Sequence, residues 1–416
     1  MNYEFGFGKK TQTVMIPDDI EVRELTANKD IESNPLDADV KNALKNPIGC
    51  GRLKDIVKPG EKIAIITSDI TRPMPTYKVL PQLIEELEAG GVKASDITLV
   101  FALGSHRKHT PEEQKHLAGE FAFNKINVVD SDVTDCVHMG TTKNGTPVDI
   151  TRVVAEADRR IALGNIEFHY FAGYSGGYKA IMPGVSTPAA IQSNHKLMIR
   201  PESCAGRLEG NPVREDIEEA GAICGLDFIL NVVLDEHKNI VKVVCGDPIK
   251  AHREGTKFLD KLYTKEIDRG ADIVIVSQGG APKDLNLYQT QKALDNSKHA
   301  VKDGGIIILI GSCAEGYGEK TFEDWMLNSA SPEALVNRIR ENFVLGGHKA
   351  AAIGMVLSRA EIYLISDMDP ELVKRSFMKP YTSLQEAFDD ALRKLGNNAD
   401  VITMPYGGSV LPKLKG

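Results

Sequence analysis

Short β-branched runs alternate with amphipathic helical stretches over almost the whole chain, and this alternation is what most constrains its fold. Lys62-Ile63-Ala64-Ile65-Ile66-Thr67 is followed by the helical pattern of residues 79–87, closed by Gly90-Gly91. Ile97-Thr98-Leu99-Val100-Phe101 comes next, then Thr110-Pro111-Glu112-Glu113. There the threonine can cap a helix, the proline fits its first turn, and Glu113 completes a capping box. Ile126-Asn127-Val128-Val129 and Arg160-Ile161-Ala162-Leu163 extend the series. Buried strands joined by helices require a mainly parallel sheet covered by helices.

A second series begins after Asp268-Arg269-Gly270, with strands at 272–276, 305–310, 361–365 and 400–403. Helices opening near Ser331-Pro332-Glu333 and Ser383-Leu384-Gln385 separate the later ones. A chain of 416 residues exceeds one ordinary core. The fold class expected is therefore α/β in two domains, residues 1–268 and 269–416. The cleft between two such domains is the expected site for a small ligand.

Several function classes are excluded or disfavoured. The net charge is −8 and no basic run is present, so the chain lacks the concentrated positive surface that nucleic acid requires. No apolar run reaches the roughly 18 residues of a membrane span. Met1-Asn2-Tyr3-Glu4-Phe5 lacks the basic-then-apolar pattern of a secretory signal, which makes the cytoplasm the expected compartment. The six cysteines are scattered with no Cys-x-x-Cys pair, as expected of reduced thiols in or near a core.

Open α/β sheets present ligands with the loops at the carboxyl ends of their strands. Three such loops carry chemistry. Ser68-Asp69-Ile70-Thr71-Arg72-Pro73 offers a carboxylate and a guanidinium fork suited to a carboxylate or phosphate, or else only a surface ion pair. Ala102-Leu103-Gly104-Ser105-His106-Arg107 places a histidine at a strand tip, where it can shuttle protons or be merely structural. His109, beside the helix cap, is expected to face solvent. The third loop reads His169-Tyr170-Phe171-Ala172-Gly173-Tyr174-Ser175-Gly176-Gly177-Tyr178-Lys179 and leads on to Asn194-His195. Its glycines allow tight turns and close approach to a bound group, while its imidazoles and amine supply acid/base, metal-ligand and nucleophilic functions.

No Gly-x-Gly-x-x-Gly follows a strand and no P-loop is present, which disfavours a standard dinucleotide fold. The 26 residues (195 − 169) between His169 and His195 match no short zinc motif. In the second domain, Gly279-Gly280-Ala281-Pro282-Lys283-Asp284 leads to Leu287-Tyr288-Gln289-Thr290-Gln291-Lys292. Tyr288 and Lys292 share a face if this segment is helical. Gly346-Gly347-His348-Lys349 is a turn without an assignable role. The residues alone point to an enzyme acting on a small anion, with Arg72, Gln289 and Lys292 as candidate anion ligands and two histidines managing protons.

Taken together and in this order, the Ser68-to-Pro73, Gly104-to-Arg107, His169-to-Lys179, Asn194-His195 and Tyr288-to-Lys292 motifs resemble the nickel-dependent lactate racemase family. Its members racemise or epimerise 2-hydroxy acids. The resemblance implies a nickel-pincer nucleotide, a pyridinium-3-thioamide-5-thiocarboxylate mononucleotide joined covalently to Lys179, with Gly176, Gly177 and Asp69 beside it. It also implies Ni(2+) held by two cofactor sulfurs, one ring carbon and His195, a donor set that suits nickel better than zinc. His106 and His169 match the acid/base pair, and Arg72, Tyr288, Gln289 and Lys292 the substrate ligands.

On this resemblance the C2 hydrogen leaves as hydride while a histidine takes the hydroxyl proton. A carbanion beside a carboxylate is thereby avoided. Asp69 is expected to contact the cofactor or to orient Arg72. Transient maturation proteins are implied as partners. An epimerase of longer sugar acids with the same cofactor, a carboxylate-binding protein without it, and an unrelated Schiff-base enzyme using Lys179 remain alternatives.

Overall fold

The computed structural model describes residues 1–28 and 34–415. The chain divides into two units, Ile31–Lys261, and Met1–Asp30 together with Leu262–Gly416. Each is α/β and is built on a six-stranded, mostly parallel sheet, as the alternating pattern requires.

In the Ile31–Lys261 unit the strand order is Ile240–Gly246, Phe228–Leu234, Arg159–Asn165, Ile63–Ser68, Ile97–Ala102 and Asn127–Asp130. All neighbours are parallel except Phe228–Leu234 and Ile240–Gly246, which form an antiparallel pair. The chain enters at the centre with Ile63–Ser68, moves outward through Ile97–Ala102 and Asn127–Asp130, then returns to the other side with Arg159–Asn165. The carboxyl ends of three adjacent parallel strands therefore meet at the point where strand order reverses, which is where α/β sheets hold ligands.

Helix Thr76–Ala89 covers this sheet with Val79, Leu80, Leu83, Ile84 and Leu87, all fully buried at a helical spacing. Helix Pro111–Ala118 starts at the expected capping box, with Thr110 and Glu113 bonded reciprocally. Such caps stabilise a helix by about 1 kcal/mol.

The second sheet runs Lys379–Tyr381, Glu361–Ile365, Val301–Ile310, Ala271–Ser277, Val401–Met404 and Val22–Glu24, all parallel. The sequence places the first thirty residues in the N-terminal domain, whereas they belong with the C-terminal unit. The hairpin Asn2–Phe7/Lys10–Met15 explains this difference. Its Phe5, Phe7 and Val14, with Ile16 just beyond it, are buried in one core with Ile273, Ile306, Ile308 and Phe388. Burying such side chains stabilises by about 1.5–3 kcal/mol each. Val22–Glu24 then adds an edge strand beside Val401–Met404. No helix among the described residues is long and apolar enough to cross a membrane, and the six cysteines are free thiols.

One close contact bears directly on the glycine loop. Tyr178 lies against Gly221 of helix Pro212–Cys224 so tightly that a Cβ there would sit 1.9 Å from its ring. Gly221→Ala would gain about 1 kcal/mol of helix propensity, yet overpacking costs about 1–3 kcal/mol. We expect a lower urea midpoint for this variant; a midpoint at or above the parent's would show that the ring moves aside freely.

Candidate active site

Three loops leave the adjacent strand ends in the Ile31–Lys261 unit and are tied to one another. After Ile63–Ser68 comes Asp69, 3% exposed, whose Oδ2 lies 2.6 Å from His106 Nδ1. Thr71 Oγ1 donates to the other carboxylate oxygen at 2.8 Å. Burial pushes the Asp69 carboxyl up, but the His106 bond and charge, the Thr71 hydroxyl and Arg72 together hold it below its ordinary value. An ionised Asp69 fixes the proton of His106 on Nδ1 and leaves the Nε2 lone pair outward on a half-exposed side chain. Asp69, expected to meet a cofactor or orient Arg72, thus bonds His106.

The second loop, Leu103 to His106, is pinned to the third, because Gly104 N–H donates to Gly184 O at 2.8 Å. The third begins as a two-residue hairpin, Phe168–His169 against Gly173–Tyr174. Ser175 closes its base: Glu167 N–H donates to Ser175 Oγ at 2.8 Å, and that hydroxyl donates to Asn165 O at 2.7 Å. Gly176 and Gly177 both have positive φ, +74° and +57°. A Cβ would lie 2.8 Å from Asn231 Oδ1 at the first and 2.9 Å from the His252 ring at the second. Gly177 N–H donates to that same Asn231 oxygen, and His252 Nε2–H donates to Ser175 O, both at 2.8 Å. Only glycine fits both the dihedrals and the space.

These bonds deliver Lys179 on the one-turn helix Gly177–Ala180. The residue is half-buried, yet its amine is set deep enough that lost hydration, followed by the charges of Arg214 and Arg72, lowers its pKa well below 10.5. His169 is likewise pushed well below its ordinary value by burial, then by Lys179, Arg72, His195 and Arg214. Ala172 N–H donates to His169 Nδ1 at 3.2 Å, which places the proton of the neutral ring on Nε2. The two histidines thus present opposite tautomers.

Phe171 is the hub. Its ring meets His169 edge-on at 4.5 Å and His195 at 4.8 Å between centroids, with Lys179 Nζ 5.9 Å from its centre. His195 closes helix Pro188–His195 and is 6% exposed. Its Nδ1 lies 2.9 Å from Asn194 Oδ1, while Asn194 Nδ2 donates to Asp216 Oδ2 at 2.8 Å. Asp216 also accepts from Thr142 at 2.5 Å and Thr146 at 2.8 Å. With the amide nitrogen so engaged, Asn194 presents an acceptor. His195 must then carry its proton on Nδ1, which leaves Nε2 as the imine nitrogen of the ring.

Asp69, Arg72, His106, His169, Gly176, Gly177, Lys179 and His195 therefore share one unit. Tyr288, Gln289 and Lys292 lie in the other, on helix Leu287–Ser297, where they are half-buried while Leu287, Thr290, Gln291, Ala293 and Leu294 are buried. The shared face expected of Tyr288 and Lys292 is present.

Several residues outside the sequence motifs also shape the site. Arg214, 1% exposed, donates Nε to Ala172 O at 3.1 Å and Nη2 to Tyr174 O. Asn211 donates to Phe171 O at 2.9 Å. The Asn211-Pro212 helix start was the available signal for both. Lys349, 6% exposed, donates to Tyr288 O and lies 4.0 Å from that ring's centre. His109 is not solvated as expected: its side chain is 1% exposed, and Nδ1 lies 2.7 Å from Asp130 Oδ1.

A nucleotide linked to Lys179 and a metal on His195 fit these residues. Burial and nearby guanidinium charges disfavour the protonated amine, the glycine pair lets the loop that carries it pack against Asn231 and His252, and buried Arg214 Nη1 has no hydrogen-bond partner. Among the described residues no three His, Cys, Asp or Glu side chains gather as a metal site, so a metal on His195 would take its other donors from the bound group.

Known proteins resemble this chain over its whole length. Residues 7–206 match the family described as lactate racemase N-terminal domain, and residues 267–411 the lactate racemase C-terminal domain. A lactate racemase of Thermoanaerobacterium thermosaccharolyticum is 35% identical, with all of both chains covered. One of Lactiplantibacillus plantarum is 32% identical over 99% of each. The solved lactate racemase apoprotein from T. thermosaccharolyticum superposes with a TM-score of 0.91 at 34% identity, covering 99% of this chain and 100% of that one. A Thermotoga maritima protein shares the fold at a TM-score of 0.67 and 18% identity, covering 90% of this chain and 97% of that one.

The folded Lys179 amine holds a proton less readily than the unfolded one. Between its lowered pKa and 10.5 the unfolded chain therefore binds more protons, and stability of the unmodified protein rises with pH through that window. Lys179→Met should raise the thermal midpoint at neutral pH and flatten the rise. Identical pH slopes for the two proteins would mean that the folded amine is charged.

Proposed function

The chain belongs to the lactate racemase family of isomerases, and on that premise we propose that it interconverts the enantiomers of lactate using a nickel-pincer nucleotide attached to Lys179. The observation that carries this reading is the clustering of Lys179, His169 and His195 around the Phe171 ring, with the lysine set where burial and neighbouring guanidinium charges disfavour its protonated form. The full-length likeness to two lactate racemases supports the choice of substrate.

Once attached, the group supplies an acceptor for the C2 hydrogen and its electron pair. His195 offers Nε2 to nickel, with the ring turned and the tautomer set through Asn194 and Asp216. Arg72 offers its fork to the substrate carboxylate. His106 takes the hydroxyl proton on Nε2, and the Asp69 carboxylate stabilises the imidazolium that results.

His169 is the second acid/base group. It rests neutral with its proton on Nε2. To act as a base in turn it must give up the Ala172 bond or exchange its proton, so the two histidines are unequal at rest. Gln289 and Lys292 are assigned to the carboxylate and oxo groups of the substrate, and Tyr288 to the pocket wall.

The test is peptide-mapped mass spectrometry with metal analysis, on protein from its native host or made with the maturation proteins, together with chiral assay of lactate and of longer hydroxy acids. We expect a mass addition on Lys179, near-stoichiometric nickel and racemisation of lactate. Lys179→Ala should lose adduct and activity while keeping its fold, and a racemase rate near the parent's would sink the mechanism. His195→Ala should lose nickel and keep the organic adduct. Inversion of a sugar acid with lactate untouched would leave the cofactor assignment standing and overturn the substrate.

A further inference from the structure

Two histidines three residues apart grip the same catalytic loop, and only one of them reaches solvent. His106 holds the Asp69 side chain, as described. His109 holds the backbone one residue further on, where Ile70 N–H donates to His109 Nε2 at 3.1 Å. For Nε2 to accept, the ring proton must be on Nδ1. The Asp130 carboxylate enforces that tautomer: Oδ1 takes Nδ1–H and Oδ2 takes the His109 backbone N–H, both at 2.7 Å. The ring is set edge-on to Phe101 at 5.0 Å, so it has little freedom to turn away. Ile70 is 41% exposed, so burial of its own side chain does not hold this stretch of chain.

We propose that His109, oriented by Asp130, is a positioning residue that latches the Asp69–Arg72 loop. It acts on the reaction through Asp69 and His106, and through Arg72. The proposal rests on the assignment of His106 and Arg72 made above. Its physical content is that a single neutral acceptor at the edge of the sheet fixes a backbone amide between two working side chains. Misplacement of a reacting group by about 1 Å can reduce turnover on the order of a hundredfold, and the adjoining Asp69 carboxylate sets the His106 tautomer. Lys179 and His195 are on other segments, so attachment of the nucleotide and nickel does not depend on the latch.

Three substitutions separate latching from packing. His109→Asn keeps a donor for Asp130 and is too short to reach Ile70. His109→Phe keeps the ring and loses both bonds. His109→Gln places an amide oxygen where Nε2 was. With holoenzyme, we expect the Asn and Phe variants to lose roughly ten- to a hundredfold in kcat with the Lys179 adduct and nickel content unchanged. The Gln variant should recover most of the loss.

Parental kcat in the Asn variant would overturn the latch. So would equal losses in all three, since that would mean packing alone matters. Where the Phe variant fails to fold, the Asn and Gln pair decides. His106→Gln, measured alongside, keeps the two claims apart. If it racemises at the parental rate, the acid/base reading of His106 fails. If it is inactive while His109→Asn matches the parent, only the latch fails.

Discussion

The arrangement of the site depends on one buried cation. Arg214 projects from the first turn of helix Pro212–Cys224 and binds the carbonyls of Ala172 and Tyr174, while the cap residue Asn211 binds that of Phe171. Three carbonyls of the glycine loop are thus held by the start of a single helix. A buried guanidinium is costly unless its donors are used, and here burial lowers its pKa to about 10. Using it to bind backbone fixes the loop, and its charge also reaches the side chains that the loop presents. Lys179, His169 and His252 are all driven toward their neutral forms in part by Arg214. Arg214 therefore contributes both to the loop's shape and, after burial, to the lowered proton affinity of the amine.

The alternation of strands and helices was legible because buried parallel strands leave long apolar runs, and 63–68, 97–102 and 159–165 are such runs. Their tips then located Asp69, Arg72, His106 and His169 by topology alone. The N-terminal hairpin was not assignable in the same way, since short alternating strands carry no sign of which core they will join. The glycine pair was legible as permissive backbone, but its partners, Asn231 and His252, are distant in sequence and have the composition of ordinary strand and helix residues.

His109 shows why a residue's neighbours in sequence mislead about its surroundings. Beside a helix cap and within a run of charged residues, it has the signature of a solvated side chain. What buries it is Asp130, at the end of the next strand, which the parallel pairing of Ile97–Ala102 with Asn127–Asp130 brings alongside. The same pairing explains why a carboxylate at the sheet's edge strand acts on a loop two strands away. Asp130 fixes His109, and His109 fixes Ile70.

The histidines of the site differ in what stands behind them, and the difference follows their proposed work. His106, which must gain and lose a proton, is backed directly by an ionised carboxylate that can stabilise its charge. His195, which must stay neutral to offer a lone pair to a metal, is backed by the neutral amide of Asn194. The acid of that network, Asp216, stands one bond further away and is engaged by two threonine hydroxyls and the amide. Hydrogen bonds to a charged group contribute about 1.5–3 kcal/mol each, enough for the buried carboxylate to hold Asn194 in one orientation. An aspartate at position 194 would fix the same tautomer but would also favour protonation of His195 at Nε2, so that a proton would compete with the metal there. The amide relays the orientation of Asp216 to His195 without relaying its charge.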